Sequence, residues 1–394
     1  MIEMQFNDKP GAIILGGDFQ GLGIVRCLQE HNISTFVVDY ELGIAKFSRY
    51  VKRSVGDRRL LDENFFTGYL ISLAKKHNLE GWVLYATKDE MLKIISQNLE
   101  ELKKWFRVPL PGWDVVQKFY FKEKAYRLAY DLSIPIPTFY EHKNLEDLLT
   151  KTIKYPLVLK PSYKEKYYPK TKKKAIRVDN EVQLIVEYKA MNLIIDSSEI
   201  VVQEMIEGGT KNLFSYATYF DGEKSIGGMT AVRLRQHPMD FGHATTYAVS
   251  VDIPELFEMG NRILKEMGYF GIAEVEFMKD DKEGVYKFIE INGRFWGWHT
   301  LAREAGINFP YILFCHMIGK KVSAPEAKVG VKWIRLLTDT PTVIKEFFKG
   351  RLSLTEYLKT LSGDKRFAVF SIKDPLPFFI EMLLIPYLWI KRGF

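Results

Sequence analysis

Over the first quarter of the chain, short apolar runs alternate with longer stretches whose apolar positions recur every three or four residues. Residues 12–15 (A-I-I-L) suit a buried strand; G-G-D-F-Q-G-L-G at 16–23 then opens an apolar-periodic helix over about 21–30, and 35–39 is a second strand. Helical spacing returns at 65–77 and 89–105, with a strand at 82–86 between them. Strand, turn, helix, strand is a βαβ order. It predicts a small parallel sheet with helices on both sides, closing near Pro109 and Pro111.

Further on the period shortens. Residues 121–135 are helical and stop at P-I-P-T. Y-P-L-V-L-K-P at 155–161 and I-V-V-Q-E-M-I-E-G-G at 200–209 are buried strands, and 216–221 with 227–236 alternate as a hairpin. Another strand-like run covers 242–249, and a helix 255–267. The clearest hairpin is 273–298, A-E-V-E-F-M, a charged turn, then F-I-E-I-N-G-R-F-W-G-W. Helices at 299–306 and 309–319, a strand at 331–337 and a helix at 343–349 follow. The fold class is α/β, with a doubly wound parallel-sheet domain ahead of a two-lobed module containing antiparallel sheets.

With 394 residues the chain can hold two or three domains. Its formal charge of +7 suits small anionic ligands and is too dispersed for nucleic acid. Cys27 and Cys315 make neither a disulfide framework nor a zinc set, which together with a start lacking signal-peptide architecture predicts a reducing cytoplasm. The tail, 374–392, is intensely apolar but interrupted by Glu381 and Pro386, so it is too short to span a bilayer. Trp, Tyr and a Lys-Arg pair suit peripheral contact of 375–392 with the inner face of a membrane. Docking on the protein's own core or on a second copy is the favoured alternative.

The chemistry concentrates in the 273–298 hairpin. Glu274 and Glu276 share a face of the first strand; Glu290, Asn292 and Arg294 share one of the second. Carboxylates and an amide oxygen gathered this way are costly without a cation, and hard divalent ions take this oxygen set. A solvated sheet face is the plainer explanation. Lys160, the single charge in an apolar strand, must snorkel or meet an anion. The glycines at 16–23 offer backbone N–H groups to an anion, but they do not follow G-x-G-x-x-G, and a tight turn alone explains them as well.

Together the E-V-E-F-M, turn, F-I-E-I-N-G-R pattern resembles the metal-binding end of the ATP-grasp ligases, and the other motifs arrive in that superfamily's order. The nearest resemblance is to predicted carboxylate–amine ligases similar to D-aspartate ligase. It implies a pre-ATP-grasp domain over 1–110, an ATP-grasp domain over 111–325 with a mobile lid at about 150–207, and a C-terminal segment over 326–394. It implies Mg²⁺ (or Mn²⁺) on Glu276, Glu290 and Asn292. ATP is assigned to Lys122 (or Lys124), Lys160, Lys173 and Lys174 of a glycine-free basic loop, and to a hinge of Gln203, Glu204, Ile206, Glu207 and Thr210. The ribose partner is left open among Glu207, Thr210 and Asn212. Arg233 or Arg235 would meet the β- and γ-phosphates and Arg294 the acid, while Gly16, Gly17 and Gly21 would contribute to the non-nucleotide substrate site. Phe121 stands where the pattern has Asp, and Ser133 where it has Gly. The implied reaction is ATP-dependent ligation of a small carboxylic acid to an amine through an acyl phosphate, by a chain that could form homo-oligomers. An ATP-dependent carboxylase or kinase, a nucleotide sensor and an NAD-dependent oxidoreductase are the alternatives.

Overall fold

The computed structural model describes residues 9–163, 166–242 and 244–392. Four short strands, β1 (Ala12–Leu15), β2 (Thr35–Asp39), β3 (Arg53–Gly56) and β4 (Val83–Ala86), form a parallel sheet in the order β3-β2-β1-β4. β1, β2 and β4 are buried along their whole length, which is why β1 and β4 read as continuous apolar runs and β2 as one between Thr35 and Asp39. The helix Phe19–Gln29 leaves β1 through Gly16 at φ 106, a conformation that needs glycine. At Gly21 a Cβ would come within 2.1 Å of the Gly16 carbonyl oxygen, so this glycine lets the helix start pack on the turn. The helical stretch 89–105 divides at Asn98 into Asp89–Gln97 and Leu99–Lys103.

A small antiparallel sheet of β5 (Leu157–Pro161), β6 (Ile176–Val178) and β7 (Ile200–Glu204), in the order β6-β5-β7, lies on the helix Glu181–Asn192. It has its own apolar cluster, including Leu148, Leu157, Leu159, Leu184 and Tyr188. The residue leading into P-I-P-T from the helix Lys122–Asp131 is Ser133 at φ 54, a serine in glycine's preferred region. Residues 164–165 of the basic loop and residue 243 lie outside the described residues.

The large sheet runs β12-β11-β8-β9-β10-β13-β14 and is built from β8 (Leu213–Phe220), β9 (Ser225–His237), β10 (Ala244–Val251), β11 (Gly271–Asp280), β12 (Val285–Asn292), β13 (Lys332–Ile334) and β14 (Lys365–Phe367). Thus residues beyond 325 supply two of its strands. The expected strand 331–337 shortens to Lys332–Ile334, because the helix Leu336–Phe348 begins immediately after Arg335. Two buried clusters each combine side chains of the parallel sheet with side chains of the large sheet, so these layers share their cores. The tail forms two helices, Leu376–Leu383 and Ile385–Arg392. Among the described residues no helix is long and apolar enough to cross a membrane.

Candidate active site

β11 and β12 pair with Glu274 opposite Asn292 and Glu276 opposite Glu290. Directly opposed residues share a face, so three carboxylates and an amide make one patch. Glu274 and Glu276 are only 2% and 4% exposed, and two such charges need a cation. Arg233 on β9 supplies it. Its Nη1 donates to Glu276 Oε1 at 3.0 Å and lies 4.0 Å from Glu274, while Nη2 donates to the other Glu276 oxygen. Glu274 also accepts from Ser215 Oγ and Trp298 Nε1, each at 3.0 Å. Burial, reinforced by the Glu276 charge, still pushes Glu274 up to about 7. Asn292 Nδ2 donates to Glu276 at 2.9 Å.

Basic groups face this patch across a cleft of about 620 Å³. Lys160 on β5 is buried and donates to the Tyr126 hydroxyl at 2.7 Å, which in turn donates to Gln203 Oε1 at 2.8 Å. Burial, with the charge of Lys122 added, pushes Lys160 down to about 7. Lys122 Nζ donates to the Ser162 carbonyl and sits 3.8 Å from Glu290 Oε2; Lys174 Nζ sits 3.5 Å from Glu290 Oε1. Glu290 is therefore flanked by a lysine of the helix start and one of the basic loop. Lys173 is exposed and does not line the cleft.

The hinge divides unevenly. Gln203, Glu204, Met205, Ile206 and Thr210 line the cleft beside Val158, Leu213 and Met278. The Thr210 hydroxyl donates to the Leu234 carbonyl at 2.9 Å. Glu207 is exposed and pairs with Lys282 at 3.2 Å, outside the cleft lining. Asn212 donates to Lys279 O and to Asp281, so its amide is engaged by the β11–β12 turn. Glu204 accepts from Lys287 Nζ at 2.8 Å; Asp280 and Glu283 share that ammonium, each at 2.9 Å. The carboxylates of Glu204, Asp280 and Glu283 lie close enough for a metal, but the Lys287 ammonium already sits among them and offsets one of their three charges.

At the other end, Arg294 does not stand free before the metal ligands as its place in E-x-N-x-R suggests. Its Nε donates to Asp89 Oδ1 at 2.9 Å and its Nη2 to Asn292 Oδ1 at 2.9 Å. Asp89 belongs to the parallel-sheet domain, in the first turn of its helix, so the anion that balances Arg294 comes from the protein. Arg233 and Arg235 also part company. Arg235 forms a double hydrogen bond to Asp339, Nε–Oδ1 2.8 Å and Nη2–Oδ2 2.9 Å, over the Tyr247 ring, and does not line the cleft. A register shift where β10 meets β9, between Tyr247 and Ala248, separates the two arginines that plain alternation keeps together. Gly16 and Gly17 border a separate recess of about 10 Å³, rimmed by Asp18, Asp39 and Glu41. That is room for about one water, and burial pushes Asp39 up to about 6. A pyrophosphate would meet carboxylates there.

Arg335 and Asp89 carried no sequence signal that singled them out. Arg335 lines the cleft at 2% exposure, its guanidinium 3.7 Å above the Phe19 ring. Its Nη2 donates to Glu381 Oε1 at 3.1 Å, and its Nε has no partner among the described residues. A lone arginine after a short strand gives no warning of this. Tyr126 was legible only in part: an unpaired strand lysine demands a polar neighbour, and the helix Lys122–Asp131 offers two hydroxyls, Tyr126, which is buried, and Tyr130, which is exposed.

The family model described as "ATP-grasp in the biosynthetic pathway with Ter operon" matches residues 228–337, the span from β9 to the start of the helix after Arg335. D-aspartate ligase of Enterococcus faecium is 23% identical over 308 residues, covering 73% of this chain and 72% of the relative. The biotin carboxylase domain of 2-oxoglutarate carboxylase from Hydrogenobacter thermophilus, solved with MgADP, ADP and bicarbonate, superposes with TM-score 0.65 at 16% identity, covering 83% of this chain and 74% of that one. An L-amino acid ligase from Bacillus licheniformis superposes with TM-score 0.60 at 16% identity, covering 80% and 75%. The fold is the ATP-grasp fold.

Proposed function

We propose that the chain is an ATP-grasp ligase resembling D-aspartate ligase, and that it joins a small carboxylic acid to an amine, with MgATP converted to ADP and phosphate through an acyl phosphate. The observation that carries this reading is the opposition across one cleft of Glu276, Glu290 and Asn292 to Lys122, Lys160 and Lys174. Carboxylates alone would repel a polyphosphate, and lysines alone would leave a metal unheld. The two walls together fit a metal–nucleotide pair.

The residues present meet the demands of Mg²⁺: two carboxylates and an amide oxygen share one face, and Mn²⁺ fits the same set. When bound, the ion neutralises phosphate charge and fixes the oxygens to which it is bound. The remaining work falls to side chains. Lys160 and Lys122 spread the negative charge of the phosphates, and a phosphate beside Lys160 restores the proton that burial weakens. Arg233 holds Glu276 in place and lies 4.0 Å from Glu274. Val158, Ile206, Leu213 and Met278 give an apolar slot for the base. The substrate acid enters from the end bounded by Phe19, Asp89, Arg294 and Arg335. There its carboxylate oxygen attacks the γ-phosphorus, ADP leaves, and the amine nitrogen then displaces phosphate from the acyl carbon.

The test is ADP release by purified protein against paired panels of acids and amines, with mass spectrometry of the product. An amide that requires both partners and ATP is the expected result. ADP release with an acid alone and a carboxylated or phosphorylated product would replace the ligase reading. Binding of NAD and not MgATP would overturn it.

A further inference from the structure

We infer that the C-terminal tail docks the protein on an anionic phospholipid surface. From Ser371 to Arg392 the sequence has only two carboxylates, Asp374 and Glu381, and both turn inward, at 1% and 2% exposure. Asp374 accepts from Arg26 Nε at 3.0 Å and Ser48 Oγ at 2.8 Å, and Glu381 from Arg335. With its acids spent on the body of the protein, the segment presents apolar side chains outward. Ile372 is 86% exposed, Leu376 51%, Phe379 58%, Leu383 76% and Tyr387 38%. The spacing 376, 379, 383 is one stripe of the helix Leu376–Leu383, and Tyr387 lies on the helix that follows. It continues through aromatic contacts from Phe379 to Phe378 and Phe370.

The rim of this stripe is cationic. Lys373 is exposed, the turn Ala45–Phe47, which packs on the helix Leu376–Leu383, adds exposed Lys46, and exposed Arg49 follows that turn. Arg49 Nη1 reaches the Lys373 carbonyl at 3.4 Å, which brings the two cations to one edge. An apolar stripe edged with lysine and arginine is the composition of helices that lie in the headgroup region of anionic bilayers. A second copy is the poorer occupant, because a two-fold contact over this stripe would bring like cationic rims together.

The experiment is flotation of the full chain with vesicles of phosphatidylcholine alone and with about one-third phosphatidylglycerol. Binding to the anionic vesicles alone, weakened by salt, is expected. Phe379→Asp with Leu383→Asp should reduce it at least ~tenfold, and Lys46→Glu with Lys373→Glu roughly fivefold or more per cation lost. All four positions are exposed, so an unchanged melting temperature confirms that folding is intact. Equal binding to both vesicle types, no binding to either, or full binding by the Asp variant overturns the proposal. So does a light-scattering mass of two chains that the Asp variant halves.

Discussion

Arg294 and Asp89 clasp the end of the metal-binding hairpin to the first turn of a helix in the parallel-sheet domain, Nε to Oδ1 at 2.9 Å and Nη2 to Oδ2 at 3.4 Å. The guanidinium fork is thus engaged before any substrate arrives. An acid entering the cleft can exchange with Asp89 at this fork, at little cost in net charge. Arg294→Lys keeps the charge and loses the fork. MgATP affinity should change less than ~threefold, while the ligation rate falls by ~100-fold or more. Affinity from calorimetry and rate from product formation check this; equal losses in both, or none, would reject a role at the acid.

Glu290 stands between Lys122 and Lys174, with one carboxylate oxygen toward each. Glu290→Gln keeps the shape and removes the charge, so the two lysines lose their common counter-ion as the metal loses a ligand. Turnover should fall by at least ~100-fold at limiting Mg²⁺, and excess Mg²⁺ should recover only part of it. The melting temperature should stay close to that of the parent, since the group is partly exposed. Near-parental turnover with the same Mg²⁺ dependence would remove Glu290 from the metal set.

Lys160 has a folded pKa pushed down to about 7 by burial, against an ordinary value of 10.5. Between these values the unfolded chain binds the extra proton, so this lysine makes stability rise as pH increases from 7 toward 10.5. Below that window the penalty is fully present, and above it the penalty is gone. Lys160→Met should therefore stabilise the empty protein most at neutral pH, with the gain fading toward pH ~10. A phosphate at Lys160 reverses the shift, so MgATP binding near pH ~8 should take up protons. Calorimetry in buffers of different ionisation enthalpy measures that uptake; its persistence in the Met variant would assign it elsewhere.

Much of the architecture was legible because burial leaves a plain mark on short strands. β1 appears in the sequence as an uninterrupted apolar run, β2 as an apolar centre between Thr35 and Asp39, and the Glu274–Arg294 hairpin as clean alternation. What alternation could not carry is a change of phase. Between Glu276 and Phe277 the pairing of β11 with β12 shifts by one residue, so Lys287, at odd spacing from Glu290, comes opposite Met278 on the cleft side. A similar slip parts Arg233 from Arg235. Pairings between distant segments were also invisible. Glu381 reads as an interruption of an apolar tail, and only the fold brings it to Arg335. The helix 89–105 was expected whole because Asn98 is a weak breaker; its amide donates to the Ile94 carbonyl where the helix divides.

The phase shift makes the last prediction. Lys287 is 4% exposed with three carboxylates around its ammonium, Glu204 at 2.8 Å and Asp280 and Glu283 at 2.9 Å each. It ties the hinge strand β7 to the hairpin that holds the metal ligands. Lys287→Met leaves the shape of the aliphatic stem and removes the charge, so three carboxylates then repel one another. Glu283 is largely exposed and screens itself with water, so the loss should be modest, roughly 2 kcal/mol at neutral pH. As pH falls toward about 4 the carboxylates of the variant protonate, and its deficit relative to the parent should shrink. Their oxygens lie within 4.8 Å of one another, so the variant offers the oxygen set of a hard-cation site. Calcium on the order of millimolar should raise the melting temperature of Lys287→Met and leave the parent unchanged. Melting curves across pH and calcium concentration decide it. A deficit that survives at low pH and ignores calcium would mean that Lys287 acts there by packing and not by charge.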